Sequence, residues 1–216
     1  MKRVMNGSPY NYVRDPLEIY RRSYAIVRNE AGLDQLEDDM AEVAIRLIHS
    51  CGMPNIVSDL HYHPNAVSVG RDALRNGATI LADAEMVAAG IIEKHLSTDT
   101  KIICTLNDVH TADHAIEIGN TRSAAAVDYW IDHLDGAVVV IGNAPTALFR
   151  LLEVLLEGAP KPAVILGFPV GFIGAAESKQ ALKNFQYNIP FITLLGRRGG
   201  SAIASASVNA LAGGLS

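Results

Sequence analysis

The stretch from Ala137 to Gly158, AVVVIGNAPTALFRLLEVLLEG, contains the pattern that decides the fold. It begins with an apolar, β-branched run that ends at Ile141, continues through a Gly-Asn turn, and then has leucines at helical spacing behind Pro145. Proline is tolerated in the first turn of a helix and glycine is typical just after the last one. The stretch therefore predicts a buried strand, a tight turn and an amphipathic helix.

The same order of apolar run, turn and helical stretch repeats from Gly77 onward. Nearly continuous apolar strands separated by helices are typical of a parallel sheet covered on both faces. We therefore predict an α/β fold, doubly wound, with a five-stranded parallel sheet, in a single domain that spans residues 1–216. The five runs are Ala78–Ala82, Lys101–Leu106, Ala137–Ile141, Ala163–Leu166 and Phe191–Leu195.

Two helical stretches precede the sheet, at Asp15–Asn29 and Glu37–Cys51, and the second has an apolar stripe. These N-terminal helices either cover one face of the sheet or reach a second subunit. The segment Ile56–Val69 is predicted to be an extended or irregular connection. The tail after Gly200 is rich in small residues and is predicted to be a buried helix.

The charge distribution argues against several classes of partner. The net charge is -5, and no block of Lys and Arg supplies the footprint that nucleic acid requires. The longest uncharged stretches are interrupted by Gly and Pro or diluted by Ser, so no membrane span is expected. The N-terminus lacks an apolar h-region after Met1-Lys-Arg3, so we expect no secretion signal and a cytoplasmic protein.

A ligand is expected at the carboxyl ends of the predicted strands, because helix N-termini and loop amides converge there in open parallel sheets. Asn143, Gly171 and Arg197 follow the third, fourth and fifth strands and are the candidate binding residues. Glycine lets the backbone approach a ligand closely, and arginine suits carboxylates. No turn matches a P-loop or GxGxxG, which argues against a nucleotide. Ordinary tight turns with solvated arginines would have the same pattern.

His49 is a candidate acid or base. It lies in the last turn of the second predicted helix, one turn after Arg46 on the same face. Imidazole titrates near neutrality and suits proton transfer, but a histidine near a helix C-terminus also complements the helix dipole, and spacing leaves both interpretations open. His61 and His63 share one face of an extended segment without a recognisable third ligand, so no metal site is predicted. His114 is interpreted as part of a solvated face.

Seven blocks, occurring in chain order, together carry a family resemblance. They are Ile19–Arg28, Arg46–Gly52, Asp83–Val87, Glu117–Ala124, Ile141–Ala147, Gly167–Ser178 and Gly196–Ser201. These blocks resemble the precorrin-8X methylmutase family of cobalamin biosynthesis, and the resemblance runs from about Tyr12 to Ala212.

The resemblance implies a flavodoxin-like α/β/α sandwich that forms homodimers and needs no added cofactor. It implies an isomerase that moves a methyl group from carbon 11 to carbon 12 of a contracted tetrapyrrole, giving hydrogenobyrinic acid. It assigns the catalytic role to His49 and substrate-binding roles to Ser23, Arg46 and Arg122. His61 and His63 gain no support from it.

The implied chemistry is compatible with these residues. A methyl shift within one molecule exchanges no group with solvent, so a His49 imidazolium would act by protonating the macrocycle and making it a better electron sink. Arg46, Arg122 and Arg197 would pair substrate carboxylates, and the uncharged loop 167–176 would cover the flat ring. Three alternatives stay open: the cobalt-containing substrate, a non-catalytic corrinoid carrier, and a nucleotide-dependent enzyme suggested by fold analogy alone.

Overall fold

The structure is a computed structural model that describes residues 10–213. The expectation that the N-terminus is not a secretion signal rests largely on residues 1–9, outside the described residues. Six strands form one sheet, in the order β1-β6-β5-β4-β2-β3. They are β1 (Leu60–Tyr62), β2 (Ile80–Ala82), β3 (Ile102–Ile103), β4 (Val138–Ile141), β5 (Val164–Gly167) and β6 (Phe191–Leu194).

The five predicted strands are confirmed as β2 to β6, and each of their pairings with one another is parallel. The chain winds outward in both directions from the β2–β4 pair, which makes the sheet doubly wound with the flavodoxin-like strand order. Every residue of β4 and β5 is buried, because helices cover both faces of the sheet. This burial explains why the strands are apolar without alternation.

The predicted strand count of five was wrong, because β1 adds a sixth, antiparallel strand. Leu60 pairs with Leu194 and Tyr62 with Ile192, at the edge of the sheet beside β6. The segment Ile56–Val69, predicted to be extended or irregular, contains β1 and also the start of a helix. A three-residue strand is too short to show a period of two in the sequence.

The helices predicted before the sheet, after the third strand and in the tail are confirmed. The first begins at Pro16 behind an Asp15 cap whose side chain accepts from the Leu17 N–H at 3.0 Å, and the second ends at Gly52, which has φ +68°. The helices are α1 (Pro16–Glu30), α2 (Asp38–Cys51), α3 (Ala66–Arg75), α4 (Glu85–Ala89), α5 (Thr111–Glu117), α6 (Arg122–Asp128), α7 (Pro145–Leu156), α8 (Ala175–Lys183) and α9 (Ser201–Gly213).

The helices form two layers around the sheet. One layer contains α2, α3, α4 and α9, with α1 packed on α2, and shares a core with alternate residues of the strands. The other contains α6, α7 and α8 and buries the intervening strand residues. The second predicted helix therefore covers a face of the sheet, and α9 is buried from Ile203 to Leu211, as expected. Among residues 10–213, no helix is long and apolar enough to cross a membrane.

Candidate active site

The packing of α1 on α2 brings Ser23 and His49 together. The Ser23 Oγ lies 2.8 Å from the His49 Nδ1, although the residues are 26 positions apart. His49 is exposed in the last turn of α2, and within residues 10–213 it has no second hydrogen bond. Its Nδ1 is therefore oriented by Ser23, and its Nε2 is the ring nitrogen left for a ligand.

Two tyrosines that sequence reasoning missed surround the imidazole. The ring centroids of Tyr20 and Tyr24 lie 5.6 and 5.4 Å from that of His49, and the Tyr24 ring meets it edge-on. Both tyrosines share a face of α1 with Ser23, because positions 23 and 24 lie three and four residues, about one helical turn, after position 20. That spacing was available in the sequence and would have identified them.

Arg46 lies one turn before His49 and is buried, with 9% of its surface exposed. Burial raises the pKa of the Tyr24 hydroxyl, while the positive charge of Arg46 and its hydrogen bond to Tyr24 oppose the rise. Arg46 and His49 line the same pocket, and the guanidinium makes this part of the site suited to an anionic group.

A pocket of about 410 Å³ opens beside His49. Asn209, which sequence reasoning also missed, contributes to its wall and is fixed there: its Oδ1 accepts from the Ile92 N–H at 2.8 Å, and its Nδ2 donates to the Gly90 carbonyl at 2.9 Å. Asn209 is the one side-chain amide in a tail of Ala, Ser, Gly and aliphatic residues, and this was the available signal. The lining includes Tyr20, Tyr24, Arg46 and His49 from α1 and α2, Met86 from α4, and Ala202, Ser205, Ala206 and Asn209 from α9.

The other predicted binding residues lie outside this lining, at or next to the carboxyl ends of the strands. Arg122 is exposed at the start of α6 and donates to the Leu106 carbonyl at 3.1 Å. Gly171 donates its N–H to the Arg197 carbonyl at 3.3 Å, which joins the loops after β5 and β6. Arg197 is exposed, with its guanidinium 5.4 Å from the centre of the Phe172 ring. We call the loops after β2 to β6 the crest.

Asn143 lies in the crest turn between β4 and α7, and this turn is held by a residue absent from the predicted site. The Asp83 carboxylate accepts from the backbone N–H groups of Gly142, Asn143 and Ala144 at 2.8, 2.9 and 2.8 Å. Burial raises the pKa of the Asp83 carboxyl group, and the three N–H donors oppose that rise. Asp83 directly follows β2, so its partners could be recognised only once β2 and β4 were known to be neighbours.

Three further histidines that the sequence drew attention to are engaged elsewhere. The His61 Nδ1 lies 3.2 Å from the Asp59 carbonyl, and the His63 Nε2 lies 3.3 Å from the Asn188 Oδ1. His114, interpreted from the sequence as solvated, has its Nε2 2.7 Å from an Asp128 carboxylate oxygen, which raises the pKa of the imidazole. In the described part of the chain, no group of three or more His, Cys, Asp or Glu side chains is placed to hold a metal ion.

Comparison with known proteins gives a consistent result. The family model described as CbiC: Precorrin-8X methylmutase matches residues 18–213. A precorrin-8X methylmutase from Pseudomonas aeruginosa is 54% identical over 202 residues, covering 94% of this chain and 97% of the relative. A cobalt-precorrin-8 methylmutase from Priestia megaterium is 35% identical, covering 91% and 87%. The precorrin-8x methyl mutase structure from Thermus thermophilus superimposes with a TM-score of 0.81 at 35% identity, covering 90% of this chain and 94% of that one.

Proposed function

The chain belongs to the precorrin-8X methylmutase family, and we propose that it is the isomerase that moves a methyl group from carbon 11 to carbon 12 of precorrin-8X, giving hydrogenobyrinic acid. The observation that carries this proposal is the Ser23–His49 contact of 2.8 Å at the edge of a pocket that also contains a buried arginine. An oriented imidazole beside a buried cation is suited to proton transfer to an anionic ligand.

His49 acts as the general acid in this proposal. Its imidazolium gives a proton to the macrocycle, which draws electron density from the conjugated system and lowers the barrier to methyl migration. The methyl group leaves carbon 11 and bonds to carbon 12 of the same molecule, and the proton returns to His49 afterwards. Substrate and product therefore have the same composition, and the reaction requires no added cofactor.

Ser23 and the two tyrosines orient the acid. The Ser23 hydroxyl engages Nδ1, so that Nε2 faces the ligand, and the rings of Tyr20 and Tyr24 limit the rotation of the imidazole. An acid held within hydrogen-bond reach of one atom is effective only if its ring orientation is fixed.

The substrate is a large apolar ring edged with carboxylates. In this proposal Arg46 binds a carboxylate next to the acid, and Arg122 and Arg197 bind others at the crest. The Asn143 side chain is a further donor, and Gly171, which has no side chain, lets the ring approach the backbone closely. The small side chains of α9 leave room for a flat ring against the pocket wall. The separation of pocket and crest suits a ligand much wider than the pocket itself.

We also propose a homodimer. α1, which contributes part of the pocket, has apolar side chains in solvent on one face: Ile19 is 44% exposed and Ile26, seven residues later, 53%. Helix faces of this kind are typical of interaction surfaces. Sedimentation analysis is expected to give twice the mass of one chain, and a single-chain mass would contradict the proposal.

A cytoplasmic location without nucleic acid as a partner completes the proposal. Cys51 and Cys104 are both free, which suits a reducing compartment. The net charge of -5 gives no support for binding to a phosphate backbone.

The cobalt-free substrate is preferred to the cobalt-containing one because the relative named for precorrin-8X is 54% identical, whereas the one named for cobalt-precorrin-8 is 35% identical. The experiment is to supply each substrate to the same enzyme and compare kcat/KM. A higher value for cobalt-precorrin-8 would favour the alternative substrate.

His49→Ala tests the catalytic assignment. The variant is expected to lose about 100-fold or more in kcat, the lower end of what a positioned general acid contributes, while still binding hydrogenobyrinic acid. Conversion is measured by the absorbance change from substrate to product, and binding by titration of the product. Turnover at the wild-type rate would remove His49 from the mechanism. A wild-type protein that binds the substrate and releases it unchanged would instead be a corrinoid carrier.

A further inference from the structure

Asp83 is 1% exposed and lies at the point where the strand order reverses, between β2 and β4. Its Oδ1 accepts the Gly142 N–H, and its Oδ2 accepts those of Asn143 and Ala144. Both oxygens thus accept from N–H donors, and a charged carboxylate makes stronger hydrogen bonds of this kind than the neutral acid does. The hydrogen bonds therefore favour the carboxylate form.

This carboxylate occupies the place where the fold class usually binds an external anion. In doubly wound sheets, ligand phosphates sit at the switch in strand order, against a helix N-terminus with free N–H groups. Here the helix is α7, and its N-cap residue Ala144 has no side-chain oxygen to cap it. Asp83 supplies the missing negative charge from the neighbouring strand.

The turn Gly142–Ala144, which Asp83 holds, packs tightly against the pocket wall. A Cβ atom on Gly142 would lie 2.6 Å from the Ala204 Cβ, 2.9 Å from the Ser201 Cα and 2.9 Å from the Val87 Cγ2. Ser201 and Ala204 belong to α9 and Val87 to α4, the two helices that line the pocket together with His49. The space beside Gly142 is therefore too small even for a Cβ atom. A shift of the turn toward these helices displaces α4 or α9.

We propose that Asp83 is a positioning residue for substrate binding, which locks the turn Gly142–Ala144 and thereby fixes both Asn143 at the crest and the α4 and α9 wall of the pocket. The inference rests on the proposed function, and it adds a role that operates at a distance from the acid. The Ser23–His49 contact is made between α1 and α2 and does not include the turn, so loss of the carboxylate is expected to weaken binding more than chemistry.

Asp83→Ala with added formate tests the proposal. The variant is expected to raise KM about tenfold, a loss of about 1.4 kcal/mol in binding, with kcat within about threefold of the wild type. Formate enters the vacated space as a detached carboxylate and lowers KM again, while leaving the wild type unaffected. The thermal midpoint of the variant, measured without substrate, is expected to rise with formate.

Asp83→Asn is the matched control, and it keeps the inference testable if the alanine variant does not fold. Its side chain has the same shape, but its NH₂ group faces an N–H donor and its volume leaves no room for formate. It is expected to raise KM without any response to formate. A wild-type KM in either variant would overturn the inference. So would a constant KM together with a kcat that falls only in proportion to the fraction of folded protein. A wild type that does not convert precorrin-8X would instead contradict the proposed function.

Discussion

The α1–α2 pair and the crest hold their functional side chains in opposite ways. His49 lies on a helix and has its Nδ1 2.8 Å from Ser23 on another, whereas Arg197 extends into solvent over the exposed Phe172 ring. Proton transfer requires one atom in one place, but pairing a flexible carboxylate tolerates movement of the cation. Under the proposed function, chemistry is therefore concentrated in the helix pair, and most of the carboxylate recognition is distributed over the loops.

Ser23→Ala tests the first side of this comparison, and its expected effect on activity is larger than that of Arg197→Ala or Lys179→Met. Loss of the hydroxyl frees the imidazole to rotate, so kcat is expected to fall about tenfold with KM within about twofold, because orientation acts in the transition state more than in binding. Steady-state kinetics on precorrin-8X measure both constants. Ser23→Thr retains the hydroxyl and is the control, with kcat closer to the wild type. A rise in KM at constant kcat would show that Ser23 binds substrate without orienting His49.

The neighbours Arg197 and Arg198 test the second side of the comparison, recognition at the crest, because only Arg197 is free to contact a ligand. Arg198 pairs with the Asp59 carboxylate and donates to the Asn55 Oδ1 at 2.9 Å. Arg197→Ala is therefore expected to raise KM about fivefold, or about 1 kcal/mol, with little change in stability. Arg198→Ala is expected to leave KM almost unchanged and to lower the free energy of unfolding by about 1 kcal/mol, as for a partly exposed ion pair.

Kinetics and urea unfolding of the two arginine variants give a direct test. Equal KM values for both would mean that the exposed arginine makes no contact with the substrate. A larger KM effect from Arg198→Ala would place recognition on the internally paired residue and contradict the proposed division between the two regions.

The elements predicted from the sequence are those with long, regular patterns. β4 and α7 were predicted because an apolar run, a turn and an i, i+3, i+4 series follow one another without interruption. β1 was missed because it has three residues and is defined by its pairing with β6, at least 130 positions away. Local pattern contains no information about such a partner.

The candidate site likewise has features that the sequence pattern predicts and features that only tertiary packing determines. The face shared by Tyr20, Ser23 and Tyr24 follows from helical spacing, whereas the approach of Ser23 to His49 depends on how α1 packs on α2 and was suggested only by the family resemblance. The three hydrogen bonds of Asp83 depend on the order of β2 and β4 in the sheet. Sequence therefore indicates which residues share an element, and tertiary packing decides which of them meet.

Substitution of Lys179, which holds one loop of the crest, is expected to have the smallest effect on activity. Its side chain is buried, and its Nζ donates to the Arg198 carbonyl at 2.6 Å, beneath the loop that carries Arg197. Burial lowers the pKa of the Lys179 amine to about 8. The unfolded chain, with an ordinary lysine, keeps this proton to a higher pH than the folded protein. Stability therefore rises with pH between about 8 and 10.5, by up to about 3 kcal/mol.

Lys179→Met removes this rise, and subtraction of the two unfolding profiles isolates it. Burial also raises the pKa of the Cys104 thiol to about 11, which acts in the opposite direction because the folded state then holds its proton longer. That contribution is common to both proteins and cancels in the difference. Urea unfolding at pH 7 and pH 10 is expected to show the wild type gaining stability relative to the variant as pH rises.

The KM of Lys179→Met is expected to stay within about twofold of the wild-type value, because recognition by Arg197 tolerates small loop movements. Parallel profiles would mean that Lys179 titrates as a solvated lysine, and a large rise in KM would mean that the crest depends on a fixed geometry as strictly as the α1–α2 pair does.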